Sequence, residues 1–231
     1  MHSQSEDILL ELCSSMIGAQ NQITWKTVKP FGLGWWPQST ESLRRYVEIM
    51  AKNQFNNADP KDPIACSLFY LALQKRKVLG GLWKMATNHP DQQKMSQFYS
   101  NDFDQPRWQQ AALKNAYVLL GRQKFEYAAA FFLLGGKLKD AVHILYKNLG
   151  DMQLAVIVAR LANDNNATLK ALLLKDILPQ AVLNGDRWLA SNVLWLSGDR
   201  ERAAAIIVGE MTLYLEPDEL EGTKRDIVFF F

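Results

Sequence analysis

Three side-chain types in this sequence could do chemistry: thiols, imidazoles and paired carboxylates. The thiols are Cys13 and Cys66, and the imidazoles are His2, His89 and His143. A nucleophilic thiolate needs a cation or a helix N-terminus beside it. Cys66 lies in the apolar run Ile64-Ala65-Cys66-Ser67-Leu68-Phe69, with no charged activator, and reads as a small core residue. Two cysteines build neither a disulfide framework nor a four-Cys zinc site, and three scattered histidines make no metal cluster. His89 precedes Pro90 in a polar loop and is expected to be exposed. His143 sits between Val142 and Ile144 and is expected to have a satisfied structural role. Asp102 and Asp104 flank Phe103 and imitate a catalytic pair, but Pro106 follows, so they read as a turn with capping duties.

Phosphate chemistry finds no better footing. Gly32-Leu33-Gly34 lacks the third glycine and the preceding strand of a dinucleotide fingerprint. No Gly-Lys-Ser/Thr and no Gly-x-Ser-x-Gly occur. Gly80-Gly81 reads as a helix kink or a close-packing site. The triplet Lys75-Arg76-Lys77 is too short to mark a nucleic-acid surface, and a net charge of +2 over 231 residues supplies no general one. The expectation is a protein with no cofactor, no metal and no nucleic-acid partner. An enzyme whose site is assembled only in space stays as the weakest reading.

The elements that carry these residues read as helices. From about Ser39 to Leu215, strong helix formers dominate and β-branched runs are scarce. Leu43, Val47 and Met50 share one face, with Arg44, Arg45, Glu48 and Lys52 elsewhere. Ser39 is placed to cap that helix. Asp62-Pro63 opens a helix expected to run toward Lys77, and Pro106 opens one from about Arg107 to Leu120, closed by Gly121. A punctuation then recurs: Gly136-Lys137, Gly150-Asp151, Gly185-Asp186 and Gly198-Asp199, each followed by an alanine five residues after the glycine. Glycine stops one helix, aspartate caps the next in three of the four, and alanine admits a close neighbour. Helices joined this way stack as antiparallel pairs, so the expected fold is all-α, an irregular α-solenoid of antiparallel helix pairs, with an ordinary helical bundle as the rival. Phe125, Tyr127, Phe131 and Phe132 fall at helical spacing and read as core. Asn53 to Lys61 and Leu215 to Asp226 read as polar connectors.

Trp25 to Pro37 interrupts this pattern. Phe31-Gly32-Leu33-Gly34-Trp35-Trp36-Pro37 is expected to form an ordered loop with its tryptophans packed on the following helices; a partner contact is the alternative. The expected divisions are 1–24, an N-terminal helix or extension; 25–215, the helical domain; and 216–231, a tail. No secretory leader is visible, because Glu11 breaks the run Ile8-Leu9-Leu10-Leu12. The longest apolar stretch, Ala128 to Leu134, falls far short of the ~18 residues of a membrane span. The default compartment is cytosolic, with reduced thiols. The terminal Ile227-Val228-Phe229-Phe230-Phe231 is apolar, and the expectation is a fragment or a truncated product.

Several segments together carry a family likeness. They are Gly32-Leu33-Gly34-Trp35-Trp36, Leu43-Arg44-Arg45, the run Asp62 to Leu73, Trp83, Lys94-Met95 and Phe98-Tyr99-Ser100-Asn101-Asp102-Phe103. The densest are Arg107 to Gly121 and Phe125 to Leu134, continuing through Leu138-Lys139-Asp140-Ala141 to Gln153-Leu154-Ala155. From about Trp25 to Leu215 the sequence resembles the helical region of the DmX-like (rabconnectin alpha) proteins and the fungal RAVE-complex large subunit. The resemblance implies a non-enzymatic scaffold, which promotes assembly of the peripheral sector of the vacuolar proton-pumping ATPase onto its membrane sector. The implied partners are peripheral-sector subunits and a second propeller protein. The implied location is cytoplasmic, held at endosomal, vacuolar or vesicle membranes through partners. The family's β-propellers are not encoded in these 231 residues, and it supplies no catalytic motif to carry over. Trp35, Trp36, Arg44 and Arg45 are the candidate partner-binding residues. The rival functional reading is a vesicle-trafficking or coat-type α-solenoid.

Overall fold

A computed structural model describes residues 6–209. Among them the chain is all-α. In order come α1 (Glu6–Ile17), the short α2 (Trp25–Val28), α3 (Thr40–Asn57), α4 (Ile64–Ala72), α5 (Arg76–Met85), α6 (Gln92–Tyr99), α7 (Pro106–Gly121), α8 (Phe125–Leu134), α9 (Leu138–His143) and α10 (Met152–Leu161). Then follow α11 (Ala167–Ala171), α12 (Leu178–Leu183), α13 (Arg187–Ser197) and α14 (Arg200–Val208). α9 widens into a π-helical turn over Ile144–Asn148, and α11 reaches α12 through another over Leu172–Ile177. Cα packing divides the chain between Ala162 and Asn163 into two compact units.

The first unit is built around α4 and α8. Every residue of α4 from Cys66 to Ala72 is buried, and α8 buries Ala128, Ala129, Ala130, Phe131, Phe132 and Leu134. A helix apolar on nearly all sides must be enclosed on nearly all sides. α3 packs on α4, α4 on α8, and α7 on α8, while α5 and α6 form an adjoining pair. Leu43, Val47 and Met50 are no more than 1% exposed, as their spacing predicts. Each such side chain contributes roughly 2 kcal/mol of transfer free energy.

Helix starts follow the capping chemistry. The Ser39 hydroxyl accepts from the Ser42 N–H at 3.1 Å, and Asp62 Oδ1 accepts from the Ile64 N–H at 2.8 Å. Asp151, Asp186 and Asp199 accept from Leu154, Leu189 and Arg202 N–H at 3.1, 2.9 and 3.0 Å. The glycine before each aspartate, and Gly136 as well, has φ between +69° and +99°, the left-handed region where a side chain is strained. Ala141, Ala155, Ala190 and Ala203 are at most 1% exposed. In the second unit α12 packs on α13 and α13 on α14. There the Ser191 hydroxyl donates to the Ala203 carbonyl at 2.7 Å.

Four local expectations need correction. The helix opened by Asp62-Pro63 stops at Ala72 instead of running to Lys77, because Gln74 takes φ +61° and α5 restarts at Arg76. Gly121 is the last residue of α7, and the left-handed turn falls on Gln123 at φ +58°. Asn53 to Asn57 belongs to α3, with Asn53 and Phe55 buried, since the Asn53 amide donates to the Gln20 and Ile23 carbonyls at 2.7 and 2.9 Å. Phe131 and Phe132 are buried, but Phe125 and Tyr127 are half-buried. The Leu215 to Asp226 connector and the apolar tail lie outside the described residues.

Candidate interaction surface

The Trp25–Pro37 segment begins as α2, tightens into a 3-10 turn over Lys29–Phe31, and reverses at Gly32, whose φ is +71°. It has no internal ladder to hold it. Helix α10 supplies the missing partners along its whole length. At its N-terminus, Asp151 is 7% exposed and uses both oxygens. Oδ1 caps α10, while Oδ2 accepts from Trp25 Nε1 at 2.9 Å and from Lys29 Nζ at 2.8 Å. Two residues on, the Gln153 side-chain amide donates to the Lys29 carbonyl at 3.2 Å. Gly34 presses so closely here that a Cβ would stand 2.9 Å from the Gln153 carbonyl oxygen. Glycine is required at this position by space.

At the C-terminal end of α10, Arg160 is 7% exposed, and its guanidinium donates to the Gly34 carbonyl at 3.2 Å and to the Pro37 carbonyl. Burial lowers its pKa to about 10, and the Glu6 carboxylate opposes that shift, so Arg160 stays charged at neutral pH. Glu6 itself accepts from the Ser39 N–H at 3.2 Å. Arg44 Nη2 donates to the Leu161 carbonyl at 2.6 Å, filling an acceptor that a helix C-terminus leaves open.

These contacts place the four candidate residues. Trp35 and Trp36 are half-buried, and Trp36 Nε1 donates to the Phe31 carbonyl at 2.8 Å. Their loop and Arg44 converge on the last turn of α10. Arg44 is half-buried. Arg45 is exposed and lines a groove of ≈ 540 Å³ between α1 and α3, together with Ile8, Glu11, Tyr46 and Ile49. Sequence reasoning missed Asp151 as an anchor, Gln153 and Arg160. Arg160 did carry a signal, being the only charged residue in Met152–Leu161.

The chemistry-bearing residues do not share this region. The Cys66 thiol is buried, donates to the Pro63 carbonyl at 3.3 Å, and is pushed up to about 12 by burial, opposite to what a nucleophile needs. His89 differs from expectation: it is half-buried, edge-on to Trp83 at 4.9 Å, with Nδ1 accepting from the Asp91 N–H at 3.1 Å. The Trp83 ring offers an apolar wall that the polar sequence around His89 conceals. His143 also differs, since its side of α9 faces out and leaves it exposed. Asp102 Oδ1 accepts from the Asp104 N–H at 3.0 Å, a turn contact. Among the described residues, no group of three or more His, Cys, Asp and Glu could hold a metal ion.

Known proteins extend the picture. The sequence profile of the family described as "RAVE protein 1 C terminal" matches residues 1–227. The Saccharomyces cerevisiae protein named "Regulator of V-ATPase in vacuolar membrane protein 1" is 42% identical over 196 residues, covering 84% of this chain and 14% of that protein. Mus musculus "DmX-like protein 1" is 36% identical over 244 residues, covering 100% of this chain and 8% of that protein. The Schizosaccharomyces pombe protein with the same name as the budding-yeast one is 32% identical over 192 residues. The chain therefore spans about one seventh or less of the length of these relatives. The motifs that resemble the DmX-like and RAVE large-subunit proteins and the 227-residue match agree: the chain belongs to the RAVE protein 1 C-terminal family.

Proposed function

We propose that this chain is a non-enzymatic scaffold segment that promotes assembly of the peripheral sector of the vacuolar ATPase onto its membrane sector, and so organelle acidification. The observation that carries this reading is the 42% identity to a protein named for V-ATPase regulation at the vacuolar membrane. The geometry is suited to the task. A scaffold needs rigid, partly exposed anchors more than convergent titratable groups, and aromatic and arginine side chains are the usual ones. Here α10 fixes the backbone on both sides of Trp35 and Trp36, so these rings are pre-organised for a partner. Trp35, Trp36, Arg44 and Arg45 form the proposed contact set, with peripheral-sector ATPase subunits as the partners. A second propeller protein completes the proposed assembly. The proposed location is the cytoplasmic side of vacuolar, endosomal or vesicle membranes. No helix among the described residues is long and apolar enough to cross a membrane.

The test is capture of purified peripheral-sector subunits on the immobilised chain, with and without the double substitution Trp35→Ala/Trp36→Ala. Retention by the wild type, and at least tenfold weaker retention by a variant of unchanged helical circular dichroism, is the expected result. A folded chain that retains none of the subunits would overturn the assembly reading for this region. Recovery of coat or cargo-adaptor subunits instead would replace it with the trafficking one.

A further inference from the structure

Charge is distributed unevenly along the chain. Residues 63–124 hold nine Lys and Arg against three Asp and no Glu, whereas the rest of the chain holds 17 cations against 21 carboxylates. This cationic stretch contains α5, α6 and α7. Within Arg76–Met85 and within Pro106–Gly121 there is no carboxylate at all.

The arrangement on α5 is the informative part. Leu79 and Trp83 are fully buried and fix the inner face. The outer face then presents Lys77, Gly81 and Lys84 with Val78 and Met85, the last two 43% and 68% exposed. At about 100° per residue, Lys77 and Lys84 fall side by side, Gly81 follows, and Met85 and Val78 fall together beyond it. The helix thus carries a cationic edge parallel to an apolar strip. A Cβ on Gly81 would meet nothing within 4 Å, so the line between edge and strip is open. Among the described residues neither Lys77 nor Lys84 has a carboxylate within ion-pair distance, in contrast to Lys75, which meets Glu48. The outer face of α7 repeats the composition, with Arg107 and Lys114 exposed beside Tyr117 and Val118, which are 61% and 53% exposed.

We propose that the outer face of α5 docks on the surface of an anionic lipid bilayer. Apolar residues exposed side by side on one helix face mark an interaction surface, and a cationic edge beside them selects an acidic partner. The parallel edge and strip match an interfacial helix: methylene stems and apolar side chains enter the headgroup boundary, while ammonium groups remain at the lipid phosphates. An acidic protein surface would also satisfy the cations, and it is the occupant that the lipid test tells apart from a bilayer. This inference builds on the proposed location at a membrane, and it adds a direct lipid contact to attachment through partners.

Vesicle flotation of the full chain tests it, using phosphatidylcholine vesicles with or without about 30% phosphatidylserine. The chain should float with the serine-lipid vesicles, remain behind with phosphatidylcholine alone, and be released by salt. K77Q/K84Q should lower the partition coefficient about thirtyfold, since each cation near such a surface is worth about a factor of five. M85S should lower it severalfold. K52Q, on the exposed side of α3 and outside the cationic stretch, should leave it unchanged. All these positions are exposed, so circular dichroism should not change. No flotation with either vesicle overturns the proposal and leaves the face to an acidic protein. Equal partition for K77Q/K84Q and wild type, or equal binding to both vesicles, overturns it too. Capture of ATPase subunits is measured without lipid, so failure of the two readings can be told apart.

Discussion

The Trp25–Pro37 loop in the first unit and the Gly185–Val208 segment in the second both display tryptophans behind turn glycines, yet they are held in different ways. In the loop, Trp25 and Trp36 have their indole N–H groups bonded, and the backbone on both sides of Trp35 is gripped by Arg160. The acceptor of Trp36 is only five residues away, but Asp151 and Arg160 lie 123 to 126 residues from the Trp25 indole and the two carbonyls they hold. In the second segment Trp188 is 73% exposed, and Trp195 faces Arg200 at 5.0 Å. Its fixed points are local: aspartate caps three residues back, Ser191 to Ala203, and Arg187 to the Ile206 carbonyl 19 residues on. One region takes its shape from a distant helix, the other from its own helix ends. Composition does not distinguish them; what each tryptophan and each carbonyl is bonded to does.

The sharpest way to break this contrast is Arg160→Met. The substitution fills much of the same volume but leaves the buried Gly34 and Pro37 carbonyls without donors, at about 3 kcal/mol for the pair. Urea unfolding should report that loss, together with quenching changes at the loop tryptophans. A loss below about 1 kcal/mol would mean that the loop does not depend on α10. Gly34→Ala comes next. The added methyl would stand 2.9 Å from the Gln153 carbonyl oxygen, so the loop must lift, at about 2 kcal/mol. A neutral result would show that the close approach is soft. The smallest effect belongs to the second segment. Asp199→Ala removes one cap and should cost about 1 kcal/mol, with the loop tryptophans undisturbed. Hydrogen bonds from the Arg202 backbone and side chain hold the Asp199 carboxyl below its ordinary 3.8. Its folded-state pKa is therefore depressed, so its stabilisation is complete above the unfolded value of 3.8 and is lost as pH falls from there through the folded one. The difference between wild type and variant in urea midpoint should shrink on acidification; a constant difference would assign the cost to helix propensity instead.

How legible each region was follows from the same contrast. The caps at Ser39, Asp62, Asp151, Asp186 and Asp199 were readable, because a cap is a statement about neighbours two or three residues apart. The apolar face of α3 was readable for the same reason. The break at Gln74 and the turn at Gln123 were not, because glutamine carries no steric signature for positive φ, although each sits in a local helix-closing turn, with the Lys75 N–H donating to the Tyr70 carbonyl at 2.8 Å and the Lys124 N–H to the Leu119 carbonyl at 3.0 Å. The resemblance found the Gly32 to Trp36 motif, but not what holds it. Nothing local links Trp25 to Asp151 or Gly34 to Arg160. Arg44 could be placed off the apolar face by periodicity, yet its bond to Leu161 depends on where α10 lies.

The reach of those bonds also sets a timetable. During synthesis, Trp25 leaves the ribosome 126 residues ahead of Asp151. At about 5–20 residues per second, the loop and its aromatic side chains wait on the order of ten seconds without their clamp. Closing so long a connection is entropically costly and slow compared with winding the helices between. A chain that ends before Arg160 lacks the donor that grips the backbone on both sides of Trp35 and Trp36.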